Sequence, residues 1–121
     1  MWLFTRYGFF SVSCPDWDRD KLQVRARCKR HLAELQNRFP HLVPFPIRES
    51  PNNDYRYRMI VPNDVWVETV SMLAKEQTWS NFKTEAARFQ NDKAYDHALH
   101  EIWSLMYEHG MEWQKKEKQQ G

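Results

Sequence analysis

The sequence predicts an α+β domain, a four-stranded antiparallel sheet made of two hairpins with helices on one face. Three observations carry this. Aromatic and β-branched residues fill two early stretches, each interrupted by turn residues, at Cys14-Pro15-Asp16 and at Pro51-Asn52-Asn53-Asp54. Apolar stripes at helical spacing run from Asp64 onward. The 121 residues hold only three Gly and no Ser/Gly linker, so one domain over 1–113 is expected, with a polar, frayed tail at 114–121.

Taken in order, Trp2 to Ser13 reads as the first strand, because Trp2, Phe4, Phe9, Phe10 and Val12 suit a pleated surface and Gly8 sits where a bulge would re-phase the alternation. Leu22, Val24 and Ala26 then alternate with Gln23, Arg25 and Arg27, as in a second strand. A rival pattern stays open there: one long helix from about Asp20, since Val24, Cys28, Leu32, Leu35 and Phe39 also share a helical stripe. Either way a helix covers Cys28 to Phe39. Pro40, Pro44 and Pro46 force an extended connection, and Ile47–Ser50 with Tyr55–Val61 form the second hairpin. Pro62 and Asn63 open a helix from Asp64 to about Gln77, with Trp66 or Val67, Val70, Leu73 and Ala74 inward. Ser80 is placed to cap a short helix burying Phe82, Ala86 and Phe89. The last helix runs from Lys93 to Glu108 on Leu99, Ile102, Trp103 and Met106, with Gly110 as its stop.

Composition narrows the function classes. Aromatics make up 15% of the chain, including six Trp, which excludes a disordered chain. No apolar run approaches the roughly 18 to 20 residues of a membrane span, and Met1 is followed by Trp2 and Leu3 rather than a basic leader, so a cytoplasmic protein without membrane association is expected. Cys14 and Cys28 match neither a metal knuckle nor a redox pair and should stay reduced there. Formal net charge is +2, but residues 1–60 hold 11 basic and 6 acidic side chains while 61–121 hold 7 and 10. Lys21, Arg25, Arg27, Lys29 and Arg30 concentrate the excess in a segment with no acid.

Met1-Trp2-Leu3-Phe4-Thr5 leading to Gly8-Phe9-Phe10-Ser11-Val12, then Val24-Arg25-Ala26-Arg27, Asp54-Tyr55-Arg56-Tyr57-Arg58, Asn81-Phe82-Lys83 and His100-Glu101-Ile102-Trp103, resembles a widespread family of small uncharacterised bacterial proteins. The match spans nearly the whole chain. Where that family carries an acidic residue and a tyrosine shortly before Asn-Phe-Lys, this sequence has Thr78 and Trp79. The resemblance implies a stand-alone cytoplasmic domain, ferredoxin-like or a variant of it, and contributes no chemistry.

Candidate sites follow from the residues. If 22–27 is a strand with Leu22, Val24 and Ala26 inward, Arg25 and Arg27 project together from the other face, about 7 Å apart. Tyr55, Tyr57, Met59 and Val61 alternate with Asp54, Arg56, Arg58 and Ile60. A sheet face with arginines and tyrosines can grip phosphates and stack bases, though the Gly-Phe-Gly-Phe type of RNA-binding signature is missing and a net charge of +2 is low for a nucleic-acid binder. The plainer alternative is a solvated face whose arginines pair with Asp54, Glu49 or a helix carboxylate. His97 and His100, with Asp96 and Glu101, lack the spacing of a zinc helix, so no metal is assigned. No nucleophile elbow, phosphate loop or dinucleotide fingerprint occurs, no cofactor is indicated, and catalysis has no support.

Two functions are carried forward. The favoured one is a non-catalytic binding or adaptor module that presents Arg25, Arg27, Tyr55, Arg56, Tyr57 and Arg58 to a protein partner or, less favoured, to nucleic acid. The alternative is a small-ligand domain or enzyme with a pocket around Tyr57, Asn81, Lys83 and His100. A bare aromatic sheet face also leads us to expect a homodimer.

Overall fold

Backbone pairing starts at Trp2, and the first strand of the sequence reading is itself a hairpin. In the computed structural model, which describes residues 1–120, Trp2–Thr5 (β1) pairs antiparallel with Gly8–Ser13 (β2) across the two-residue turn Arg6-Tyr7. Thr5 closes that turn with its side chain. Its Oγ1 accepts from the Tyr7 and Gly8 N–H groups at 3.1 and 3.2 Å and donates to the Gly8 carbonyl at 2.9 Å. Gly8 is a strand opening at φ +146° rather than a bulge, and a Cβ there would lie 2.2 Å from His31 Cγ. Only glycine accommodates both demands.

Lys21–Ala26 is a strand (β3) and Lys29–Arg38 a helix (α1), which settles the rival patterns in favour of the strand. Both alternations were real: Val24, Leu32, Leu35 and Phe39 are all fully buried, but the chain changes conformation at Cys28 between them. A 3-10 turn at Pro40–Leu42 leads to the two-residue edge strand Arg48–Glu49 (β4), the loop from Ser50 to Arg56, and Tyr57–Pro62 (β5). The sheet therefore has five strands, not four, all neighbours antiparallel, in the order β1-β2-β3-β5-β4.

Asn63–Lys75 (α2) follows. Trp66 and Thr69 are its buried residues, while Val67 and Ala74 face solvent. Helices α1 and α2 pack on one face of the sheet, around Phe10, Val12, Val24, Ala26, Met59 and Val61. Tyr57 packs against this same core. That corrects its placement among the binding residues of the open face: it lies on the face opposite Arg58, as strand alternation requires.

Contacts divide the chain into two compact units, Met1–Ser80 and the residues from Asn81 on. The second unit is a helix pair. Phe82–Gln90 (α3) is capped by Asn81 rather than Ser80: its Oδ1 accepts from Thr84 N–H at 3.0 Å, and Asn91 ends the helix in the left-handed conformation at φ +50°. Lys93–Gln120 (α4) runs straight through Gly110, so both the stop at Glu108 and the frayed tail from 114 give way to continuous helix. One glycine costs a helix only about 1 kcal/mol, and the Gln, Lys and Glu beyond it are good helix formers. Tyr95 and Leu99 of α4 and Ala86 of α3 are buried, but Phe89, Trp103 and Met106, which the stripe placed inside, are exposed.

Candidate functional site

The register of the sheet builds the most distinctive constellation. Trp2 pairs with Ser11, Ser11 with Arg25, Arg25 with Arg58, and Arg58 with Arg48, so one row crosses all five strands on the face away from α1 and α2. Three arginines occupy adjacent strands roughly 4.8 Å apart, an arrangement that like charges disfavour. Ser11 is small and buried, which lets the Arg25 guanidinium lie flat. Arg25 Nη2 donates to Ser11 Oγ at 2.8 Å and Nε to the Ser11 carbonyl at 3.4 Å.

Tyr55 organises the rest. The loop before β5 carries its ring over the arginines, 4.8 Å from the Arg25 guanidinium carbon and 4.4 Å from that of Arg27. The ring is buried by this stacking, worth on the order of 1 kcal/mol per cation. Arg27 Nη1 donates to the Asp54 carbonyl at 3.0 Å, and Arg58 donates to Gln23 Oε1 at 2.8 Å and the Tyr55 carbonyl at 3.2 Å. Arg58 Nε is buried with no acceptor.

Of the arginines on β3, β4, β5 and the loop before β5, Arg56 is the one with a carboxylate partner among the described residues. Its Nε donates to Glu49 Oε1 at 2.7 Å, and that hydrogen bond holds the guanidinium above its ordinary pKa. Among the described residues, Arg25, Arg27, Arg48 and Arg58 make no ion pair with a carboxylate. Beside them runs an aromatic shelf: Phe4 stacks on Phe9 at 4.5 Å, Trp2 meets Phe9 edge-on at 5.9 Å, and Phe9 approaches Tyr55 at 6.3 Å. Trp2 is 70% exposed.

The structure thus brings together Arg25, Arg27, Tyr55 and Arg58, keeps Arg56 in its own pair with Glu49, and sends Tyr57 to the core. Ser11, Gln23 and Arg48 were missed. Their signal is the strand register, which a single sequence reveals only once the pairing partners are known.

Asn81, Lys83 and His100 do line one groove, of ≈ 300 Å³, together with Thr84, Ala87 and Asp96. Each has a structural occupation. Asn81 caps α3, the Lys83 ammonium sits 4.7 Å from the Trp103 ring, and His100 Nδ1 lies 2.8 Å from the Asp96 carbonyl one turn back. Tyr57, the fourth residue of that expected pocket, belongs to the sheet unit. His97 pairs with Glu101 along the helix, and among the described residues no three His, Cys, Asp or Glu side chains gather as a metal site.

A further cluster ties the β1–β2 turn to the helices. The Tyr7 hydroxyl donates to Glu76 Oε1 at 2.6 Å, Arg38 Nε donates to Glu76 Oε2 at 2.9 Å, and Arg6 lies between the Tyr7 and Trp79 rings. Burial, then the Glu76 hydrogen bond, push the Tyr7 phenol above its ordinary pKa, against a smaller pull from Arg6. Both Glu76 oxygens are satisfied, so this is a clamp rather than a reactive pair.

Among the described residues no helix is long and apolar enough to cross a membrane. No family model, curated protein or solved structure matches the chain. The family resemblance rests on the sequence motifs alone.

Proposed function

We propose that the chain is a non-catalytic binding module that docks an acidic partner protein on the arginine and aromatic face of its sheet. The observation that carries this is the row Arg25, Arg58 and Arg48, with Arg27 beside it: four guanidinium groups without a carboxylate partner among the described residues, on the same face as an exposed Trp2. Folding alone disfavours that arrangement. A partner's carboxylates would complete it, and Arg and Trp are the residue types that dominate interface energetics.

A protein fits better than nucleic acid because the rings are poorly placed for bases. The Tyr55 ring is already buried against the Arg25 and Arg27 guanidinium groups, and Phe4 and Phe9 stack on each other. In the groove of the second unit the polar groups are engaged with their own helices, which weakens the small-ligand reading. The sheet unit is carried in this reading as a variant of the ferredoxin-like plan, with three strands before the first helix. The cytoplasm, where Cys14 and Cys28 persist as thiols, is its expected compartment.

The test is fluorescence anisotropy with two labelled probes: an acidic peptide of alternating Glu and Trp, and a single-stranded oligonucleotide. Binding of the peptide, weakened at least about tenfold by Arg25→Ala with Arg58→Ala, is the expected result. Oligonucleotide binding with a steep salt slope and no peptide binding would instead make the face a nucleic-acid surface. Binding of neither probe overturns the reading.

A further inference from the structure

The arginine row is held in place by neutral atoms. Arg25 spends Nε and Nη2 on the Ser11 carbonyl and hydroxyl, Arg27 spends Nη1 on the Asp54 carbonyl, and Arg58 spends Nη1 and Nη2 on Gln23 Oε1 and the Tyr55 carbonyl. Such bonds fix the direction of a guanidinium without cancelling its charge. Among the described residues, Arg25 Nη1 and Arg27 Nε and Nη2 make no hydrogen bond. These free donors belong to two groups whose carbons lie 4.8 and 4.4 Å from the centroid of one buried ring, that of Tyr55. The two nearest acids are committed elsewhere. Glu49 pairs with Arg56, and the Asp54 carboxylate accepts from the Tyr55 N–H at 2.9 Å. Lys21, on the strand face of Arg25, adds to the positive excess.

Spacing and charge say what group completes the site. Arg25 and Arg58 stand side by side on neighbouring strands, roughly 4.8 Å apart, whereas an extended chain carries its same-face side chains about 7 Å apart. A partner strand laid along the row therefore falls out of step with it. Laid along β3, it sets a carboxylate against Arg25 and another against Arg27 but leaves Arg58 and Arg48 unmatched. A carboxylate brings one charge and two oxygens. A phosphomonoester brings a charge of about −1.5 to −2 and three acceptor oxygens at one point, enough for two guanidinium groups at once. A phosphodiester of nucleic acid brings only a single charge.

We propose, building on the docking reading above, that the group recognised on this face is a phosphorylated side chain of the partner protein. Its phosphoryl oxygens accept from Arg25 Nη1 and from the free edge of Arg27, while Arg58 and Arg48 supply the surrounding positive field.

Fluorescence anisotropy with the full chain tests it, using the peptide of alternating Glu and Trp with its central Glu kept, replaced by phosphoserine, or replaced by serine. At pH 7.5 the phosphoserine form should bind at least about tenfold more tightly than the Glu form, and the serine form more weakly than either. At pH 5, below the second phosphate pKa of about 6 but above the ordinary Glu value of about 4.3, that advantage should shrink at least about threefold. Arg27→Gln, on an exposed side chain, should remove most of the advantage. A phosphoserine form no tighter than the Glu form, an advantage equal at both pH values, or one that Arg27→Gln leaves intact would each overturn the inference while the docking reading stands. Free phosphoserine binding as tightly as the peptide would overturn it too, by making the ligand a small phosphate ester. Binding of no form overturns both.

Discussion

Replacing Gly8 by Ala probes the contact that joins the first hairpin to α1. The built Cβ would lie 2.2 Å from His31 Cγ, 2.5 Å from Nδ1 and 2.6 Å from His31 Cβ. Rotating the ring cannot relieve the last of these, because Cβ is fixed by the helix backbone, so α1 or the hairpin must shift. The backbone adds its own term, since φ +146° is a region that only glycine enters freely, at about 1–3 kcal/mol for other residues. Overpacking contributes about another 1–3 kcal/mol. A loss of about 4 kcal/mol is therefore expected, read as a fall of about 2 M in the urea midpoint. The sharper measurement is a double-mutant cycle with His31→Ala, which removes the ring atoms but keeps Cβ. Against that background the cost of Gly8→Ala should shrink by at least about 1 kcal/mol without vanishing. A single variant within about 0.5 kcal/mol of wild type, or perfectly additive changes, would refute the steric account.

Three further outcomes follow from other parts of the structure. Tyr7 has a raised pKa in the folded state, so between the unfolded value of about 10 and the folded value the native chain binds more protons; stability should be undiminished below pH 10 and fall as pH rises beyond it. Tyr7→Phe should flatten that part of a denaturation-against-pH profile. Asn81→Ala removes the cap of α3 and should destabilise the helix pair by about 1 kcal/mol in thermal unfolding, whereas Asn81→Asp, which keeps the acceptor and adds charge at the helix start, should not. Gly110→Ala meets nothing within 4 Å and should raise helix content in far-ultraviolet dichroism, adding about 1 kcal/mol to α4.

How much of this was legible in the sequence depends on the range of the interaction that decides it. Helix α1 and its Leu32 and Leu35 stripe follow from local periodicity, which the residues carry on their own, whereas 21–26 fits both a strand alternation and a helical stripe and is decided by its pairing with β2 and β5. Nor does the split of the first strand follow from periodicity. Arg6-Tyr7 lacks the usual turn residues, and the turn is closed instead by the Thr5 hydroxyl, while the glycine that looked like a bulge answers to His31 more than twenty positions away. Gly110 misled in the opposite sense: the pattern reads it as a stop, but a glycine stops a helix by turning left-handed, and Asn91, not Gly110, takes that conformation.

The proposed binding face shows the same division. Alternation along β3 placed Arg25 and Arg27 on one side, and alternation along β5 separated Arg58 from Tyr57. What alternation cannot give is which strands are neighbours. Pairing β3 with β5 on its other side from its hairpin partner β2 sets Arg25 directly beside Arg58, and the short β4 then adds Arg48 to the same row. An unpaired arginine on an isolated strand would be unremarked surface. Three in one row, with a tyrosine from the intervening loop over Arg25 at one end of it, form a positive surface that folding by itself does not favour, and this is why the proposed partner is argued from the row rather than from any one of its residues.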